Sequence, residues 1–209
     1  QPGNRDIPYT FYVVNSEQIN AFAVPGFVYV NRGLVERTDN LSELAGVVAH
    51  EIGHVEARHS AEMLERQQSA QVGVTVASIL LGGPPSGLAG AAVDVGAAAY
   101  FARHSREAEN EADAIAVRIL PRAGIDPAGL VTFFKELIEE RERTPSTLEQ
   151  WFSTHPLTEE RIANVRALIQ ALPPEATRNL AVTSQSYQTF KQRVRSLPAP
   201  PREFRTSGD

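Results

Sequence analysis

"VVAHEIGHVEARHS", residues 47–60, holds three of the chain's five histidines. The predictions of both fold and function start from this stretch. His50 and His54 bracket Glu51 in the pattern HExxH. On a helix, residues four apart share one face, so both imidazoles can reach one metal ion while the glutamate projects beside them. The alternative is a pair of ordinary helix residues with local hydrogen bonds. The surrounding sequence favours the metal site, because it independently predicts a helix.

That helix is predicted over residues 38–68. Asn40 is a good N-cap, and Glu43 follows it at the spacing of a capping box. The apolar residues that follow predict a helix whose middle is buried: Leu44, Val47, Val48, Ile52 and Val55.

Composition limits the kind of site. The 209 residues include 22% charged and 42% hydrophobic residues, which is ordinary for a globular protein. A net charge of −5 gives no reason to expect nucleic acid or an anionic membrane surface as partner. The chain has no cysteine, so a zinc site must use histidine and carboxylate ligands. The longest apolar stretch, residues 72–102, is interrupted by glycine and proline, so we expect no transmembrane segment and a soluble domain. The chain begins at Gln1 without a signal-peptide core, so we expect any targeting segment to have been removed.

Three strands are predicted before the helix, at residues 9–14, 19–24 and 27–30. Pro25 and Gly26 separate the last two and predict a turn or a bulge. The N-terminal part should therefore form a small β-sheet.

Helical patterns dominate the rest of the chain. We predict helices over 97–124, 126–143, 155–172 and 186–197, with Pro127 and Pro156 in the first turns of the second and third. The sequence therefore predicts an α+β fold, mainly helical with a small N-terminal sheet. We expect one domain over residues 1–175. A C-terminal extension should follow over 176–209, with a short helix and an exposed proline-rich tail.

A catalytic zinc ion needs a third protein ligand and an open position for water. The metzincin pattern would require Gly at 57 and His at 60, but the chain has Ala57 and Ser60. His59 is one residue out of register, and we interpret it and His104 as structural or surface residues. The third ligand should therefore be a carboxylate from another helix.

The dense acidic cluster downstream is "SREAENEAD", residues 105–113. Glu109 and Asp113 share a helix face, whereas Glu107 and Glu111 point elsewhere. One carboxylate of such a pair can bind metal while the other holds a ligating histidine's second ring nitrogen. The alternative is a solvated acidic face that balances nearby arginines.

Four motifs in this order carry a family resemblance: residues 20–34 ("NAFAVPGFVYVNRGL"), 50–54 ("HEIGH"), 105–113 and 153–162 ("STHPLTEERI"). Together they resemble the HtpX-like, Oma-type and BepA-type zinc metallopeptidases, gluzincins related to the type I CAAX prenyl proteases. The likeness runs from about residue 5 to 170. The familiar strand motif reads PGG, whereas here Gly26 is followed directly by Phe27.

The resemblance implies a zincin-like metallopeptidase domain with one Zn²⁺ per chain. His50, His54 and Glu109 match the family's zinc ligands, and Glu51 matches its catalytic glutamate. Asp113 matches the aspartate of the family's ExxxD motif and would support a ligating histidine.

His155 has two interpretations. By spacing alone, a histidine before a proline at a helix start is usually a capping or packing residue. By resemblance it matches the STHP histidine, which lies near the zinc. There it would act in catalysis by stabilising the oxyanion, or bind zinc as a fourth ligand in a resting state.

The predicted function is that of a zinc endopeptidase in protein quality control, acting on unfolded or damaged protein. A metal-activated water would attack the peptide bond, with Glu51 as general base. The substrate should lie extended along the second strand, at residues Asn20, Ala21, Phe22 and Ala23. Residues 82–96 form either a lid or a plain linker. The competing hypotheses are a zinc-binding chaperone-like or scaffolding module with little proteolysis, and a hydrolase of non-peptide substrates.

The resemblance also implies a location. Soluble bacterial members are periplasmic or lipid-anchored, so we expect either here. It further predicts association with the membrane or with outer-membrane assembly components.

Overall fold

The structure, a computed structural model, describes residues 8–59, 106–143, 148, 151–152 and 155–199. The candidate lid at 82–96, the apolar stretch at 72–102 and the tail from residue 200 lie outside the described residues.

The predicted sheet is confirmed. Its strands are β1 (Thr10–Val14), β2 (Ala21–Val24) and β3 (Phe27–Asn31). Their spatial order is β1-β3-β2, with β1 parallel and β2 antiparallel to β3. Val24 pairs with Phe27, so Pro25 and Gly26 form a two-residue turn and not a bulge. Gly26 has a φ of +88°, a conformation that glycine adopts at little cost, which explains its place in the turn.

Helix α1 (Arg32–Arg37) leads into α2 (Leu41–Glu56), which carries the HExxH motif. The predicted cap is confirmed: the Asn40 side chain accepts a hydrogen bond from the Glu43 backbone N–H at 3.1 Å. The Glu43 carboxylate in turn accepts one from the backbone N–H of Asp39 at 2.6 Å. These bonds fix where the helix begins.

The prediction of one continuous helix to residue 68 is wrong, because α2 ends at Glu56. Ala57 and Arg58 form a turn, and Arg58 has a φ of +61°. On an unbroken helix, residues five apart point about 140° apart. The turn instead brings His59 back beside His54, and their Nδ1 atoms lie 2.9 Å apart.

Four further helices have described bounds, and residues 148 and 151–152 are helical as well. The four are α3 at 106–119, α4 (Ala128–Arg143), α5 (Glu159–Gln170) and α6 (Gln185–Arg195). The prediction that Pro156 lies inside the third of the four predicted helices is wrong, since α5 begins at Glu159. Thr158 is its N-cap, and its hydroxyl accepts a hydrogen bond from the Arg161 backbone N–H at 3.2 Å. The threonine hydroxyl accepts a hydrogen bond from an N–H of the first helical turn that would otherwise have no partner. A proline side chain has no acceptor for it.

The core lies where the sheet and α4 both pack against α2. Its fully buried side chains include Val28, Leu34, Val47, Leu130, Phe133, Phe134, Leu137 and Trp151. Helix α6 packs on α1, where the hydroxyl of Tyr187 donates to the Thr38 carbonyl at 2.9 Å. Among the described residues, no helix has the length and apolar character needed to cross a bilayer. The α+β architecture, mainly helical with a small N-terminal sheet, is confirmed.

Candidate metal centre

The two histidines of the HExxH motif point into the interior from one face of α2. His50 is 1% exposed, and its Nε2 lies 3.0 Å from Nε2 of His54. Two imidazole nitrogens facing each other at this distance can bind the same ion. The i, i+4 spacing places them as predicted.

Helix α3 supplies the carboxylates because it approaches α2 closely. A Cβ built on Gly53 would lie 2.7 Å from the Ala112 carbonyl oxygen, so only glycine fits at this crossing. Asp113 directly follows Ala112, and Glu109 lies about one turn before it. Both side chains face α2. Both are buried, at 2% and 1% exposure, which excludes a solvated acidic face for this pair.

Glu109 reaches both histidines. Its Oε1 lies 3.0 Å from His54 Nε2, and its Oε2 lies 3.3 Å from His50 Nε2. The neighbouring Glu107 and Glu111 are exposed, as predicted from their positions on the helix.

Asp113 contacts the other ring nitrogen of a histidine. Its Oδ1 lies 2.8 Å from His50 Nδ1. When His50 donates from Nδ1, its Nε2 lone pair is left for a metal ion. This is the usual support of a ligating histidine, which fixes the tautomer and the ring orientation.

His155 joins the same cluster from the segment before α5. Its Nδ1 lies 3.3 Å from both oxygens of Glu109 and 3.4 Å from His50 Nε2. Its ring stands 4.9 Å from that of Trp151, and its backbone N–H donates to the Trp151 carbonyl at 2.8 Å. His155 is therefore a member of the cluster and not a surface cap.

Glu51 lies beside the cluster and is 4% exposed. Its Oε1 makes no hydrogen bond among the described residues, although His155 Nε2 lies 3.4 Å away. Burial raises the pKa of Glu51 above its usual value; nearby His155 and His50 lower it and Glu109 raises it. A buried carboxylate with an accepting oxygen free is suited to taking up a proton.

The electrostatics of the cluster favour a cation. Burial lowers the pKa of His54 to about 4, so its imidazole is neutral at neutral pH. Burial also opposes a charge on His50, but Asp113 and Glu109 outweigh it and raise the pKa of His50 to about 9. Those carboxylates attract a positive charge at His50, and a divalent ion at Nε2 would replace the proton. Burial opposes the charge on Glu109 too, yet the histidines hold its pKa well below the usual range.

Two residues at the centre were not predicted to belong to it. Arg161, in the first turn of α5, is 4% exposed and contacts both Asp113 and Glu109. His59, interpreted from the sequence as a structural or surface residue, contacts Nδ1 of His54. Nothing in the sequence distinguishes Arg161 from a surface arginine. On an unbroken helix, the spacing would place His59 on a different face from His54.

The donor set fits zinc. One ligand atom from each of His50, His54, Glu109 and His155 lies within 4.8 Å of the others. Imidazole nitrogen and carboxylate oxygen are the ligands that catalytic zinc uses in a protein without cysteine. The predicted substrate-binding residues Asn20–Ala23 lie at and just before β2, a terminal strand of the sheet that packs along α2.

Comparison with known proteins agrees with this geometry. A model of peptidase family M48 matches residues 2–169. The chain is 38% identical over 195 residues to the beta-barrel assembly-enhancing protease of Yersinia pestis, covering 90% of this chain and 39% of that protein. It is 36% identical over 175 residues to the protein of that name from Escherichia coli K12, covering 80% of this chain and 36% of that protein.

A third relative is metalloprotease LoiP of E. coli K12, which is 31% identical over 167 residues. That alignment covers 78% of this chain and 64% of LoiP. The chain therefore spans well under half the length of the two relatives named for β-barrel assembly.

Proposed function

The chain belongs to peptidase family M48, a family of zinc metallopeptidases, and we propose that it forms the peptidase domain of an endopeptidase acting on unfolded or damaged proteins. One observation carries the proposal. His50, His54 and Glu109 converge on one point, and the buried Glu51 lies beside it on the same helix as the histidines.

Each residue has a role in this proposal. His50, His54 and Glu109 would hold the zinc ion, and Asp113 would orient His50. When bound, zinc lowers the pKa of a water molecule and polarises the peptide carbonyl. Glu51 would take up a proton from the attacking water with its Oε1 and would pass it to the leaving amine. His155 lies 3.4 Å from that oxygen, close enough to act on the reacting groups or to bind the metal.

The substrate would lie against β2. In the part of the chain that the structure describes, this strand ends the sheet, so an extended peptide can add to it through main-chain hydrogen bonds. Ala21 belongs to the core and Ala23 packs against it, whereas Phe22 points outward and is 46% exposed. Recognition through the main chain selects an extended and therefore unfolded segment more than a particular side chain.

The competing function is a zinc-binding chaperone-like or scaffolding module. Such a module needs the zinc ligands for stability but has no use for a buried carboxylate beside them. Keeping Oε1 of Glu51 without a hydrogen bond from the described residues, at 4% exposure of the residue, costs free energy, which catalysis explains and scaffolding does not.

The test compares cleavage of casein by the wild type, the Glu51→Gln variant and wild type treated with a chelator. We expect Glu51→Gln to keep one zinc per chain and to lose activity by about 10²–10⁴-fold. Glu56→Gln is the matched control, because Glu56 is an exposed residue of the same helix and should leave the rate unchanged. One zinc per chain with no cleavage of casein or any other unfolded protein would reject the peptidase and favour the scaffold.

The proposal extends to the whole protein. We place the peptidase domain at residues 1–175 and a C-terminal extension at 176–209. We further propose a periplasmic or lipid-anchored location and association with outer-membrane assembly components; the second is supported by relatives whose names refer to β-barrel assembly. Cell fractionation followed by crosslinking in the native host tests both; recovery in the cytoplasm would reject the location.

A further inference from the structure

We propose that Arg161 is a positioning residue of the metal centre, which holds the carboxylates of Asp113 and Glu109 in the orientation that zinc binding requires. The proposal rests on the ligand set proposed above. It adds α5 to the two helices, α2 and α3, that bear the predicted ligands.

Arg161 binds the carboxylate of Asp113 through two parallel hydrogen bonds. Its Nε donates to Oδ2 at 2.5 Å and its Nη2 donates to Oδ1 at 2.9 Å. The same Oδ1 lies 2.8 Å from Nδ1 of His50. Because two bonds fix the plane of the carboxylate, they also fix the direction in which Oδ1 meets the histidine.

The remaining nitrogen of the guanidinium reaches Glu109. Nη1 lies 2.5 Å from Oε2 of Glu109 and donates to the Pro156 carbonyl at 3.2 Å. Holding Oε2 orients the other oxygen, Oε1, which lies 3.0 Å from His54 Nε2. One side chain thereby sets both carboxylates that face the histidines.

Arg161 is itself firmly held. It is 4% exposed, and its guanidinium carbon lies 4.7 Å from the centre of the Phe134 ring in α4. Its backbone N–H donates to the Thr158 hydroxyl, the N-cap of α5. A side chain fixed at both ends can transmit the position of α5 to the metal centre.

Charge gives a second reason for an arginine here. Asp113 and Glu109 are two buried carboxylates one turn apart on α3, and like charges in a poorly solvated interior repel strongly. Arg161 carries a positive charge at every physiological pH and contacts both carboxylates. A lysine would supply the charge but not the planar fork, so it could not hold two carboxylates in fixed planes.

The competing explanation is a purely structural ion pair that ties α5 to α3. It predicts a loss of stability without a change at the metal. The experiment must therefore measure zinc binding separately from folding.

The experiment compares Arg161→Lys with the wild type of the full chain. Zinc affinity is measured by competition with a chromophoric chelator, and thermal melting establishes a temperature at which both proteins are folded. We expect Arg161→Lys to bind zinc about 10–100-fold more weakly. We also expect an altered visible spectrum of the Co²⁺-substituted protein, because the ligand orientation changes. Arg118→Lys is the matched control: Arg118 is an exposed arginine of α3, 3.4 Å from Glu56, and should change neither quantity.

Asp113→Asn tests the same link with Arg161 in place and should also weaken zinc binding. The double variant should lose less than the sum of the two single losses, because both remove the same contact. Wild-type zinc affinity and cobalt spectrum in Arg161→Lys would overturn the proposal, whatever its melting temperature. Strictly additive losses would overturn the route through Asp113. Zinc binding by a wild type that cleaves no protein would reject the proposed function and leave this proposal standing.

Discussion

The imidazole of His155 reaches both Glu109 and Glu51, and this position leads to a test of its role. Zinc with four protein ligands has no place for a water molecule. If His155 binds zinc together with His50, His54 and Glu109, the centre is closed. On this hypothesis we expect His155→Ala to cleave casein faster than the wild type while retaining one zinc per chain. Initial rates and metal analysis measure the two quantities.

The control is the double variant His155→Ala with Glu51→Gln, which should be inactive and so excludes a contaminating protease. An inactive His155→Ala variant that keeps its zinc would contradict the expectation and assign His155 a direct part in catalysis.

His59 gives a second prediction for a single side chain. It links His54 to Glu111, since its Nε2 lies 3.3 Å from the Glu111 carboxylate. His59→Ala removes the partner of His54 Nδ1 and should weaken zinc binding by about 10-fold or more in chelator competition. Glu111→Gln is the matched control. Its side chain is 64% exposed, so we expect less than about a 2-fold change. An unchanged zinc affinity in His59→Ala would show that His59 contributes only to packing.

Part of this centre could be predicted from the sequence because helix spacing determines which residues share a face. His50 with His54 and Glu109 with Asp113 are both i, i+4 pairs. Arg161 lies 48 residues from Asp113 and meets it only after α5 packs against α3. Contacts created by tertiary packing leave no periodic signal in the residues themselves.

At the scale of elements, the crossing of α2 and α3 determines whether the proposed zinc ligands meet. Gly53 lies against the backbone of Ala112 at this crossing. At an ordinary helix position, glycine to alanine stabilises by roughly 0.5–1 kcal/mol. Here the added methyl must push the helices apart, so we expect Gly53→Ala to lower the free energy of unfolding by about 1–3 kcal/mol and to weaken zinc binding.

Chemical denaturation and chelator competition measure the two effects. Asn110→Ala is the control, because Asn110 is an exposed residue of α3 and should gain slightly from alanine's helix propensity. A stabilised Gly53→Ala protein with wild-type zinc affinity would show that the two helices can move apart at no cost.

Element ends were harder to predict than element types. The strands and the start of α2 follow from alternation and from the Asn40 cap. The end of α2 depends on Arg58 adopting a positive φ, which local propensity disfavours. The start of α5 depends on Thr158 capping Arg161, which competes with the proline signal at 156. Both ends differ from the predicted ones where a tertiary contact is made, by His59 after the end of α2 and by Arg161 in the first turn of α5.

At the scale of the whole molecule, the candidate metal centre joins parts of the chain that are distant in sequence. His50 and His54 come from α2, Glu109 comes from α3, and His155 precedes α5. These ligand atoms come together only when the core around α2 and α4 has formed. Zinc should therefore bind the folded chain far more tightly than the unfolded one, which links metal binding to global stability.

Removing zinc should accordingly lower the melting temperature. Free zinc at 100 times its dissociation constant stabilises the folded state by about 2.7 kcal/mol. For a chain of this size that corresponds to roughly 5–11 °C in the thermal midpoint. Differential scanning calorimetry with and without a chelator measures the shift, and added zinc should restore it. Glu109→Gln is the control, because a weakened ligand set should shrink the shift. An identical midpoint with and without chelator would mean that the metal does not hold these helices together.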